Sequence, residues 1–126
     1  MKKILILLFS MLISFNSYGE WTFHSETIDG TNFYIDYETI RENGGYVYYW
    51  EMADYVKDHE DGNLSSAVYT QGDCAIFRVN HLSLTGYNQS MGTGEGATYN
   101  FEDDWIYPVP DSTVEYTLNL VCDYID

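Results

Sequence analysis

Cys74, in the middle of the chain, and Cys122, near its end, constrain the fold more than any other feature, because both follow what reads as a secretory leader. Lys2 and Lys3 precede an apolar run from Ile4 to Phe15, and Ser17-Tyr18-Gly19 then places small residues where a signal peptidase cuts. Cleavage after Gly19 is expected, giving a signal peptide at 1–19 and a single domain at 20–126. The apolar run is shorter than the ~20 residues a spanning helix needs. No membrane span is therefore expected after cleavage, and no cysteine near the cut offers a lipid anchor. Export through the Sec pathway to the periplasm, the cell surface or the medium follows. In such an oxidising compartment, two thiols without metal-ligand spacing or a neighbouring histidine read as a structural disulfide, Cys74 with Cys122. A reactive or metal-binding pair would need C-x-x-C spacing or a nearby base. Closing a loop of about 48 residues removes ~4 kcal/mol of unfolded-state entropy in the chain-entropy model.

Charge narrows the partners. The whole chain carries a formal net charge of -15. Beyond Gly19 it keeps all 20 acidic residues and only Arg41, Lys57 and Arg78 as bases. Such a field repels nucleic acid and anionic lipid and favours basic partners, besides serving solubility. The aromatic content of 17% argues for a packed core rather than a disordered chain.

Along the chain, two extended aromatic stretches from Trp21 to Tyr37 are broken by Ile28-Asp29-Gly30, a hairpin signal because glycine accepts positive φ. Glu38 to Asn43 reads as a short polar segment ending at Gly44-Gly45. Tyr46 to Tyr55 is the strongest strand candidate. Lys57 to Asn63 reads as an exposed turn, and Leu64 to Gln71 and Cys74 to Tyr87 as two further strands. In the last, Cys74, Ile76, Leu82 and Leu84 share one parity and Ala75, Phe77 and Val79 the other, so both faces need a cover. One cover is a helix from about Asp111 to Tyr124, with Val114, Leu118, Val121, Cys122 and Ile125 on one stripe and a capping box at Ser112 and Glu115. The other is expected from self-association through the aromatic face or an edge. Asn88 to Tyr107 reads as irregular. The expected fold is α+β: an antiparallel β-sheet of about five or six strands with a C-terminal α-helix packed on one face and tied to it by the disulfide.

No catalytic, cofactor or metal site emerges. Gly92-Thr93-Gly94-Glu95-Gly96 lacks the lysine and the following helix of a phosphate cradle. Asp58-His59-Glu60-Asp61-Gly62 lacks the ligand order of a calcium loop. Glu102-Asp103-Asp104 is one segment, not two separated carboxylates. His24, His59 and His81 have no partner at zinc-site spacing, and no nucleophile elbow is present. An enzyme is not expected. Tyr46, Tyr48, Trp50 and Met52 alternate onto one strand face, where core packing is the default and an interface the alternative; Tyr46, Tyr48 and Trp50 are the candidate partner-binding residues.

Trp21, Tyr34-Ile35-Asp36 with Ile40-Arg41, Trp50 with Asp54-Tyr55, and Ser65 or Ser66 with Asp73-Cys74 and Arg78 resemble, in order, the surface-adhesin protein E-like family of small exported bacterial proteins. Met91-Gly92-Thr93-Gly94, Trp105, Pro110-Asp111-Ser112 and Cys122 continue the resemblance. It implies a sheet with a disulfide-tied terminal helix, dimerisation, and adhesion to host matrix or serum proteins such as vitronectin, laminin and plasminogen. The missing lipid-anchor cysteine and the scarcity of bases depart from that pattern. They leave open a periplasmic protein of housekeeping or small-ligand-binding role.

Overall fold

The computed structural model describes residues 20–55 and 62–126. The leader at 1–19 and most of the turn beginning at Lys57 lie outside the described residues. Strand β1 (Thr22–Glu26) and strand β2 (Asn32–Ile35) form the expected hairpin. Gly30 at its tip has φ +90°, and the Asp29 carboxylate accepts from the Thr27 hydroxyl and the Thr31 amide. Asp36 then caps a single 3₁₀ turn, Tyr37–Thr39, by accepting from the Glu38 amide at 3.1 Å. The polar segment after it is not a plain connector. Arg41–Asn43 is a strand, β3, paired with the start of β4 (Tyr46–Asp54) across Gly44 and Gly45, both at positive φ. Its three residues are all exposed, so no hydrophobic alternation marks it.

Strands β5 (Ser65–Asp73), β6 (Arg78–Tyr87) and β7 (Gly96–Asn100) complete one antiparallel sheet in the order β1-β2-β4-β5-β6-β7. β4 serves two neighbours on one edge, β3 beside residues 46–48 and β2 beside residues 51–54. β7 lies in the segment read as irregular. Wholly exposed along Gly-Ala-Thr-Tyr-Asn, this edge strand carries no burial pattern in its sequence.

The mixed parity of β6 has a local cause. Tyr69 pairs with Ser83 but Thr70 pairs with His81, so Leu82 is bulged out of register. Val79 and His81 therefore face the same side as Leu84 and Gly86. The strand also starts later than its apolar content suggests, since Cys74 to Phe77 form the β5–β6 turn, with Phe77 at φ 64°. Asp73 holds that turn by accepting from the amides of Ala75 and Ile76 and from Arg78 Nε.

Helix α1 (Thr113–Ile125) packs on one face of the sheet. Ser112 Oγ accepts from the Glu115 amide at 3.2 Å, while Glu115 reaches back to the Asp111 amide, one residue before the position of a standard capping box. Leu118 and Val121 are fully buried against Ile35, Val47, Tyr49 and Val79, with Val114, Cys122 and Ile125 at the margin of this core. The Cys74–Cys122 disulfide ties the hairpin turn to the last turns of the helix, with Cα atoms 5.8 Å apart. Among the described residues no helix is long and apolar enough to cross a membrane.

Candidate functional site

Strand alternation sends Val47, Tyr49 and Glu51 under the helix and Tyr46, Tyr48, Trp50 and Met52 to the opposite face. Among the described residues that second face is covered only at its ends. At one end the 3₁₀ turn Ser90–Gly92 is held by Ser65 Oγ, which donates to the Gln89 carbonyl and accepts from the Gly92 amide, and by Asp54, which accepts from the Met91 amide. A Cβ on Gly92 would touch Met52 Sδ at 3.4 Å, and Met52 is fully buried beneath it. At the other end the chain after β7 follows β6 to a single bridge between Val79 and Ile106. On the way Asn80 donates to Asp103 and accepts from the Asp104 amide, which lays Trp105 against Tyr46 with ring centroids 5.2 Å apart. Arg78 stacks on the outer Trp105 ring at 4.2 Å and bonds Asp73.

Between these covers lies an aromatic strip. Trp50 packs on Tyr69 at 4.8 Å, Tyr69 on Tyr48 at 6.1 Å, and the Tyr48 hydroxyl accepts from Gln71 Nε2. All three rings are half-buried. The sequence candidates thus separate: Tyr46 lies under Trp105, while Tyr48 and Trp50 stand on the open strip. Tyr69, which joins the two, comes from a strand whose contribution becomes visible only once its register against β4 is known. The bases among the described residues are engaged, Arg78 with Asp73 and Arg41 with the carbonyls of Glu38 and Ile40. Both border the strip, Arg41 opposite Tyr48 in the β3–β4 pair and Arg78 over Trp105.

Beneath the helix is a second polar feature. Glu51 sits at a core position of β4 with 13% of its side chain exposed, and His24 lies beside it at 3%. Thr117 Oγ1 is 2.8 Å from the Thr113 carbonyl, 3.0 Å from Glu51 Oε1 and 3.3 Å from His24 Nε2. Thr117 has one proton to give. If it goes to Thr113, the Glu51 contact closes only when the carboxyl keeps its own proton, and burial indeed pushes Glu51 up to about 7. His24 bonds Thr117 through Nε2 and Ser25 through Nδ1, and burial pushes it down to about 4. Burial thus works against an ion pair at the 3.9 Å Glu51–His24 contact from both sides, raising the acid and lowering the base. A cavity of about 250 Å³ adjoins Glu51, walled by Phe33, Val68, Leu84, Phe101 and Val114. His81, also on its wall, bonds Thr70 through Nδ1 and is held below its usual value by burial. No group of three or more metal-ligating side chains comes together among the described residues. A wider groove of about 910 Å³ runs from the β1–β2 turn to the start of the helix.

The fold defines a class: an antiparallel sheet closed on one face by a disulfide-tied terminal helix and open along an aromatic strip on the other. The chain belongs to the surface-adhesin protein E family, whose model matches residues 21–123. Its fold is similar to that of Haemophilus influenzae protein E in crystal form II, with a TM-score of 0.63 at 20% identity over 80% of this chain and 88% of that one. A second structure of Haemophilus influenzae protein E gives 0.63 at 16% identity, over 82% and 83% of the two chains. Protein E from non-typeable Haemophilus influenzae gives 0.56 at 16%, over 82% and 84%. At these identities the likeness is one of fold. No curated protein matches the chain significantly in sequence.

Proposed function

We propose that this chain is an exported, non-enzymatic adhesin-like protein that holds a host matrix or serum protein on the strip formed by Tyr48, Trp50 and Tyr69. Family membership supports the adhesin class. The observation that favours this surface is that rings chemically suited to partner contact remain half-buried between two well-anchored covers. Aromatic rings of this kind dominate binding energies once a partner excludes water from them. The chain's formal net charge of -15 favours a partner with a basic segment. Vitronectin, laminin and plasminogen are the proteins to try first, with a second copy of this chain as the competing occupant.

Surface plasmon resonance of the oxidised protein over each immobilised partner tests the reading. Binding is expected to persist at physiological salt and to weaken at least tenfold in Trp50→Ala, a loss of the size hot-spot aromatics carry. Retention only at low salt, or equal binding by the variant, overturns it. Fractionation separates surface display from a periplasmic housekeeping role, since an antibody labels intact cells only in the first case.

A further inference from the structure

We propose that the cavity between α1 and the sheet is a binding site for a small primary amine with a short apolar tail, its ammonium group paired with the Glu51 carboxylate. The site lies on the opposite side of the sheet from the aromatic strip, and the inference does not depend on the adhesin reading.

Geometry carries it. Both contacts of the Glu51 carboxyl, to Thr117 and to His24, go to Oε1. Oε2 has no hydrogen bond, and no side-chain oxygen or nitrogen that is sealed from solvent lacks a partner among the described residues. Oε2 is thus reached by solvent, and Glu51 lines the cavity. Of the other polar residues on the wall, Ser66 bonds the Tyr55 hydroxyl, His81 bonds Thr70 through Nδ1, and the Thr113 carbonyl accepts from Thr117. A carboxyl group amid mostly apolar side chains calls for a charged donor on an apolar body. The volume, about 250 Å³, lies just under the ~300 Å³ at which ordinary small-molecule sites begin. That limits the tail to a phenyl ring or a short alkyl chain.

Charge selects the ammonium over a neutral donor. His24 from β1 and His81 from β6 are held neutral by burial, and Tyr49 from β4, pushed up by burial and by Glu51, keeps its proton. Tyr116 from α1 packs on the His24 ring. None of these groups brings a positive charge to compete with the ligand at neutral pH. Below about pH 7 binding is a proton exchange: the ammonium enters charged, the Glu51 carboxyl gives up its proton to solvent, and an ion pair replaces a buried acid. The low-dielectric surroundings strengthen the attraction between the two charges and offset the cost of desolvating them.

Isothermal titration of phenethylamine into the oxidised protein, in two buffers of different ionisation enthalpy, tests this directly. Saturable binding is expected at pH 7.5, with affinity falling about tenfold per pH unit below pH 6 and nearly one proton released per amine bound there. Phenethyl alcohol, of the same shape without the charge, is expected to bind at least tenfold more weakly. Glu51→Gln should abolish binding. Ala53→Leu, which fills the cavity and leaves the carboxyl in place, should also weaken it, and each variant's circular dichroism confirms its fold. No saturable binding by the parent, equal binding of amine and alcohol, or undiminished binding by Glu51→Gln overturns the proposal.

Discussion

A Cβ on Gly72 would stand 2.9 Å from Leu118 Cδ1 and 3.0 Å from Val47 Cγ1, so this glycine sets how closely the helix approaches the sheet. Glu51 and His24 show the same dependence of single residues on their surroundings. The folded value of Glu51, about 7, lies above its ordinary 4.5, so as pH rises the unfolded chain ionises first and stability falls between pH 4.5 and about 7. The folded value of His24, about 4, lies below 6.5, so as pH falls the unfolded chain takes up its proton first and stability is lost between pH 6.5 and about 4. Over the shared window the slopes oppose and largely cancel. In Glu51→Gln the His24 slope stands alone. The stability of this variant relative to the parent should therefore rise by ~3 kcal/mol between pH 4 and pH 7.5. Urea melts of both proteins at pH 4, 5.5 and 7.5 measure it, and a difference independent of pH refutes the buried-acid account.

At the scale of elements, the residues that follow a strict period were the readable ones. The helix stripe of Val114, Leu118, Val121, Cys122 and Ile125 points to the face that the structure buries. The alternation of β4, by contrast, groups Tyr46, Tyr48, Trp50 and Met52, for which core packing is the default, on the face away from the helix, where the three rings are only half-buried. Elements without a buried face were not readable. β3 and β7 are exposed throughout and held by backbone pairing, to which side-chain composition is nearly blind. The bulge at Leu82 flips parity within one strand, so no single period describes β6. The disulfide joins two elements at their ends, which makes a local prediction possible. Cys74→Ser with Cys122→Ser, or full reduction, should lower stability by ~2–4 kcal/mol. Hydrogen exchange should quicken first in the last turns of α1, and uniform quickening over the whole sheet would argue against a helix staple.

For the molecule as a whole, the two faces of one sheet meet different fates. The helix closes one, whereas the other is sealed only where the 3₁₀ turn covers Met52 and where Trp105 covers Tyr46. Met52→Ala should cost ~2–5 kcal/mol, as for a buried side chain with no means of collapse, and Trp50→Ala distinctly less; guanidinium melts compare them. Equal losses would mean that the strip is core and not a surface. By itself the sequence determined the antiparallel sheet, the terminal helix with its buried stripe, and the pairing of Cys74 with Cys122. Each of these follows from local periodicity or from the chemistry of a single pair. Only the tertiary structure decided that Tyr69 joins Tyr48 and Trp50, that Trp105 takes Tyr46 out of the open strip, and that Glu51 meets His24 and Thr117 beside a cavity. These groupings depend on strand register and on how the loop after β7 crosses the sheet. Both are set by contacts between residues far apart in the chain, on which no local pattern reports.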